Sequence, residues 1–352
     1  MVFKKDMGIS LIGTIPKKGL QLVLAMFVAL LFQSCYQIRP IQIEVVKPAK
    51  IEIPKNISKL TVLNASVPKY NVPITNETQA NFFKLDSTIT SQLTIGVYSI
   101  INESPRFTDI VLHNKLYHKA QDSFLQPIEW KDLEQICYQN NTESIVAIEA
   151  FSMSDTLITF SSLTQNGYVV DNSLLLICKS FWRIYNPSKK QLVHQWVQQD
   201  SIYMNEFGSI KHFRSKLKKD DVRKWLAGIL SDEIAYKISN KIAPYWITVK
   251  RDVYLTMNEE MQIASLLVND NKWKQAASIW KKYVVNENVK LAAKACHNMA
   301  LVCEVEGRLD VALIWLQKAL NLRPYYTTQN YKKVIEYRLK EQEILDKQFG
   351  NN

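Results

Sequence analysis

The chain has 352 residues, 47% of them hydrophobic, and a formal net charge of +11. That length and apolar content can bury a large core and suit two domains. A basic balance can serve nucleic acid, acidic lipid or a polyanionic wall, but here the lysines are scattered and the densest run, Lys211–Lys224, is interrupted by acids, so the charge reads mostly as solvated surface.

Lys4, Lys5, Lys17 and Lys18 precede an apolar run from Leu20 to Phe32. Its 13 residues fall short of the roughly 20 a membrane-crossing helix needs, and match the core of a secretory signal, about 7–15 residues long. The run closes on "LLFQSC". This resembles the lipobox of bacterial lipoproteins, with small Ser34 before Cys35 and Phe32 departing from the usual Leu, Val or Ile. The resemblance implies that residues 1–34 are removed as a signal peptide and that Cys35 is lipidated, with more than one acyl chain, since a single chain holds a membrane only marginally. It implies an outer-membrane lipoprotein of the cell envelope. The periplasmic face is expected because "CYQIRP" lacks the acidic residues associated with surface export. Export also removes DNA and RNA from the partners. Residues 35–56, with Pro40, Pro48 and Pro54 blocking any helix, read as an extended tether.

Residues 57–254 read as an α/β domain. Ile57–Ser66 alternates as a short strand, and Phe83, Leu85, Ile89, Leu93, Val97 and Ile101 are spaced for a helix ended by Asn102 and Pro105. "FTDIVL" is strand-like. A helix from Trp130 turns at Asn140–Asn141 into a strand from Ser144. Two more alternating strands, "SLLLICKSFWRIY" and "QLVHQWVQQDSIY", are joined as a hairpin by "NPSKK". In the first, Phe181, Arg183 and Tyr185 share one face, with Trp182 and Ile184 on the other. A helix presenting Val222, Trp225, Ile229, Ile234, Ile238 and Ile242 should cover the Trp182 face before Pro244 stops it.

The order "LTVLN … ESPRFTDI … IEWKDLEQIC … ESIVAIEAF … FWRIYNPSKKQLVHQWVQQDS" resembles an uncharacterised family of Bacteroidetes lipoproteins with carboxy-terminal tetratricopeptide repeats. At fold level it is similar to the amino-terminal domain of TolB and to the curli-secretion lipoprotein CsgG. The resemblance implies protein partners and no catalytic residue.

Residues 255–326 carry the repeats, and 327–352 a capping helix and tail. Ala264 and Ala300, Ala276 and Ala312, and Trp280 and Leu316 are each 36 apart, close to the 34-residue tetratricopeptide period. Alanines let paired helices approach, Trp280 and Trp315 fill seams, and Gly307 allows a tight turn. The fold class expected is therefore α+β: an α/β domain with a mixed sheet and a long antiparallel hairpin, followed by an all-α repeat array.

Reactive chemistry is not visible. The glycines are not clustered as phosphate-binding loops require, no G-x-S-x-G elbow occurs, and His113, His118, His194, His212 and His297 form no H-E-x-x-H. No cysteine pair has C-x-x-C spacing, so Cys137, Cys178, Cys296 and Cys303 should be buried free thiols. The expectation is a non-enzymatic scaffold without cofactor or metal. It binds a protein or peptide through its repeats, at Gln262, Ser265, Asn298 and Leu301. The alternative is an envelope assembly or secretion component, oligomerising through the α/β domain.

Overall fold

The structure, a computed structural model, describes residues 38–67, 77–113, 126–164, 167–207, 220–256 and 258–350. The signal segment and Cys35 lie outside them. Two compact units divide the chain: Val45–Ile247 with Lys340–Asn352, and Met1–Glu44 with Thr248–Leu339. Among the described residues, no helix is long and apolar enough to cross a membrane.

The first unit is built on a mixed five-stranded sheet of β2 (Lys59–Val67), β3 (Asp109–Leu112), β4 (Ser144–Thr164), β5 (Gly167–Asn186) and β6 (Gln191–Phe207), in the order β3-β2-β4-β5-β6. β2 runs parallel to β3 and β4, while β4, β5 and β6 form antiparallel pairs. A 3-10 turn, Pro187–Lys189, followed by Lys190 at φ 49°, closes the β5–β6 hairpin. Period-two alternation sorts the side chains onto two faces. Leu60, Val62, Val146, Ile148, Trp182 and Ile184 pack with helices α1 (Glu77–Asn102) and α3 (Asp220–Ile242). On the other face Leu63, Ala147 and Tyr185 pack with α2 (Trp130–Asn140) through Leu133 and Ile136. Asn141, in the left-handed region at φ 53°, ends α2, as its side chain tolerates better than most.

The buried stripe of α1 is Ile89, Leu93, Val97 and Ile101, a ladder at every fourth residue. Its Gly96 meets α3 closely: a Cβ there would lie 2.9 Å from Cβ of Ala235. α3 packs on the Trp182 face as expected, with Val222, Ile234, Ile238 and Ile242 of the expected stripe in or against the core and Trp225 and Ile229 outside it. Leu226, Leu230, Ile234, Ile238 and Ile242 are buried, whereas Trp225 and Ile229 are exposed (59% and 39%). Apolar residues occupy two faces of this helix, and the ladder at every fourth residue is the one that meets the sheet.

Residues 38–47, expected within an extended tether, form a strand, β1 (Ile38–Lys47), paired with β7 (Tyr245–Tyr254) in a two-stranded sheet. Ile41, Ile43 and Val45 alternate into the interior, so this stretch gains burial that a tether would forgo.

Helices α4 (Glu259–Asn269), α5 (Trp273–Tyr283), α6 (Val289–Val305), α7 (Leu309–Leu322) and α8 (Tyr326–Phe349) follow. The first four make two helical hairpins with matching interiors. Ala264, Ala276 and Trp280 of one and Ala300, Ala312 and Leu316 of the other are all fully buried. The two hairpin turns correspond as well: Asn271 at φ 56° and Gly307 at φ 73° occupy the left-handed position, 36 residues apart. Glycine adopts that conformation freely and asparagine tolerates it.

Candidate functional site

In the helical unit the inner face of α6 already holds an extended strand of its own chain. From Ala292 to Glu304 every α6 side chain is buried. The Asn298 amide reads the Tyr254 backbone in both directions: Oδ1 accepts from its N–H at 2.9 Å, and Nδ2 donates to its carbonyl at 2.9 Å. The preceding residue, His297, spans the Asp252 carbonyl and the Thr328 hydroxyl, each at 3.0 Å. Burial pushes this imidazole down to about 4, with the Asp252 bond opposing it, so it is neutral at pH 7.

Three residues before Tyr254, the strand is held by charge. Glu304, fully buried, takes Arg251 through Nε at 2.9 Å and Nη2 at 2.7 Å, Arg338 Nη1 at 2.6 Å, and the Tyr331 hydroxyl at 2.6 Å. Burial by itself would raise the carboxyl, but the Arg251 hydrogen bonds and charge, with Tyr331 and Arg338, hold it below the ordinary carboxylate range. The same burial and the carboxylate charge push the Tyr331 hydroxyl well above its usual value. This cluster clamps strand and helices together; nothing in it is set up to exchange protons at neutral pH.

Beyond the end of β7 the face opens into a cavity of about 620 Å³, a size that suits a small ligand or side chain. The first turns of α4 and α6 reach it, with Asn258 and Asn288 as their N-caps. Leu255, Leu266 and Leu291 supply its apolar wall, and Arg39, Lys290 and Lys294 its charge. Arg39 donates through Nη2 to the Ser265 carbonyl. Lys294 is only 7% exposed, and its ammonium lies 5.7 Å and 6.0 Å from the ring centroids of Tyr254 and Tyr325. Its pKa is lowered first by burial, then by the positive charges of Lys290 and Arg323.

Of the four residues expected to meet a partner, Gln262 is exposed on this cavity, its Nε2 donating to the Thr256 carbonyl at 2.9 Å. The other three are corrected. Ser265 forms part of the wall but is fully buried, with Oγ spent on the Met261 carbonyl at 2.9 Å. Asn298 and Leu301 are fully buried, and Asn298 spends its amide on the β7 backbone at Tyr254 rather than on an open concave face. The cavity cations went unnoticed in the sequence, where lysines at a helix start look like solvated charge.

Elsewhere, Glu149 in the sheet unit is fully buried with Arg183 Nη1 at 2.6 Å and the Tyr185 hydroxyl against its carboxylate. Register shifts between Ile148 and Ala150, leaving Glu149 as the extra residue of a bulge. Cys137, Cys178, Cys296 and Cys303 are buried and outside any disulfide, and burial pushes the Cys296 thiol up to about 11, which makes it a poor nucleophile. Among the described residues no group of three or more His, Cys, Asp or Glu side chains could hold a metal.

No curated protein matches the sequence. Solved structures with partial likeness include a neuraminyllactose-binding hemagglutinin homolog from Helicobacter pylori (9% identity, 55% of this chain and 87% of that one, TM-score 0.30). A minor lipoprotein from Acinetobacter baumannii (7% identity, 53% and 97%, TM-score 0.24) and rare lipoprotein B from Shewanella oneidensis (10% identity, 52% and 96%, TM-score 0.24) are similar in the same limited way. Scores this low transfer neither fold nor function. Residues 262–341 match the domain of unknown function DUF6340. Residues 57–254, more than half of the chain, match the domain of unknown function DUF8603, and the chain belongs to that family.

Proposed function

We propose that this is a lipid-anchored protein of the bacterial cell envelope that binds a protein or peptide partner through its helical unit and catalyses no reaction. The anchor is Cys35, after removal of residues 1–34. The outer membrane, facing the periplasm, is the location we favour, and a Bacteroidetes source follows from the same resemblance. The two helical hairpins are tetratricopeptide repeats in this reading, supported by the buried pairs 36 residues apart and the matched left-handed turn positions. One observation carries the binding role: the α6 face already holds an extended backbone through Asn298 and continues into an open cavity beside exposed Gln262 and Leu266. A face that grips one extended strand is built to take a second segment next to it.

Capture from native envelopes by crosslinking tests the binding role. Leu266→Asp and Lys290→Glu change exposed cavity residues, so both variants should melt like the parent yet lose the captured partner. Capture of the same partner by both variants overturns the assignment. For the anchor, Cys35→Ala should abolish fatty-acid labelling and membrane fractionation; retention of both overturns it. A second reading, self-association through the sheet, has one observation in its favour: β6 is an edge strand of 17 residues that exposes Val197 and Tyr203 (61% and 68%).

A further inference from the structure

We propose that the turn between α5 and α6, with exposed Val285 and Val289, is the part of the helical unit that rests on the lipid bilayer. The inference depends on the reading of Cys35 as a lipid anchor and adds which surface of the unit meets the membrane.

An anchor at Cys35 leaves the helical unit little freedom. β1 begins at Ile38, so only Tyr36 and Gln37 separate it from Cys35. Arg39 is fixed on the unit, donating through Nη2 to the Ser265 carbonyl of α4. Four residues of extended chain span at most about 14 Å, so connectivity alone keeps Cys35 that close to Arg39. Arg39 in turn shares the walls of one cavity with Asn288, Lys290 and Leu291, and the start of α6 is thereby brought to the membrane with it. This end of the unit presents apolar side chains to water. Val285, 79% exposed, is the most exposed branched aliphatic residue among those described, and Val289 is 47% exposed. All of residues 285–290 are exposed, and Val284 makes the buried contact of the turn instead. Lys290 favours anionic headgroups and the neighbouring Glu287 offsets part of that attraction, so the contact is chiefly apolar. Two valines would not hold a soluble protein on a membrane. Tethering changes that, because it makes the contact intramolecular, at an effective concentration of about millimolar. A partner that enters the cavity therefore does so close to the bilayer.

The test uses the full acylated protein in vesicles of phosphatidylethanolamine and phosphatidylglycerol, with a fluorophore on one introduced cysteine and a quencher on the lipid headgroups. Cys137, Cys178, Cys296 and Cys303 are buried, so labelling goes to the introduced site. Glu287→Cys places the dye in the turn, and Glu306→Cys places it at the other end of α6, about 25 Å away along the axis; both sites are exposed. Quenching should be several-fold stronger at position 287 than at position 306. Adding Val285→Asp and Val289→Asp, both at exposed positions, should cut quenching at position 287 several-fold without releasing the protein from the vesicles or lowering its melting temperature. Fatty-acid labelling of Cys35 is read in parallel. With the acyl group present, equal quenching at the two sites, stronger quenching at position 306, or no effect of the aspartates overturns this inference and leaves the anchor standing. Absence of the acyl group overturns the anchor, and this inference with it.

Discussion

Each unit buries a glutamate against arginine and tyrosine, but the two clusters do different jobs. Glu149 finds Arg183 and Tyr185 on the adjacent strand β5, so its partners come from sheet register and a single bulge. Glu304 collects Arg251, Tyr331 and Arg338 from β7 and α8, residues 27 to 53 positions away. The first cluster therefore secures strands within a five-stranded sheet, whereas the second fixes β7, laddered to β1, onto a helical face that offers it no further ladder. Similar chemistry ties neighbouring strands together in one place and a strand to helices in the other.

The strongest way to break that comparison is to remove each carboxylate. Removing the carboxylate from a buried ion pair costs about 3–5 kcal/mol, so both Glu149→Ala and Glu304→Ala should lower the melting temperature sharply. Hydrogen exchange separates them: Glu304→Ala should expose the β7 amides and spare β4 and β5, and Glu149→Ala should do the reverse. Equal spread of exchange in both variants contradicts the distinction.

Acid sharpens it next. The His297 imidazole has its pKa lowered to about 4 in the folded state, against about 6.5 unfolded. The unfolded chain then binds the extra proton first, so stability is full above pH 6.5 and falls as pH drops toward 4. A loss of about 3 kcal/mol across that window follows from the shift. His297→Gln should remove that part of the pH dependence; an unchanged acid slope in denaturant titrations places its origin elsewhere. Glu304, held low, begins to lose its contribution as pH falls through the ordinary carboxylate range and has lost it once pH drops below its own lowered pKa.

Asn298→Ala leaves a backbone donor and acceptor of Tyr254 without partners, which costs about 1–3 kcal/mol and should raise exchange at Tyr254. The smallest effect is expected at Trp225: exposed on α3, its replacement by alanine should change stability by less than about 0.5 kcal/mol, where Trp182→Ala costs about 3–5 kcal/mol. Equal melting shifts for the two tryptophans contradict the helix phase described here.

Most of the sheet unit was legible because its signals are local. Alternation placed Trp182 and Ile184 opposite Arg183 and Tyr185, and Asn186–Lys190 marked the hairpin. The pairing of β1 with β7 was not, since roughly 200 residues separate strands whose alternation says nothing about partners. The candidate site failed for a related reason. Asn298, His297 and Glu304 are polar residues on a helix, and polarity normally signals solvent; here each is satisfied by β7 or α8, which only the tertiary structure supplies. Gln262 is exposed on α4, as its place on the first helix of a repeat led one to expect.

The central claim is that partners meet the helical unit at the cavity left open beside its own strand. Placing a photo-crosslinking residue at Gln262, or at the fully solvated Tyr138 of the sheet unit (88% exposed), and irradiating intact cells tests it directly. The account predicts a discrete adduct from position 262 and none from position 138; an adduct from 138 with none from 262 contradicts it.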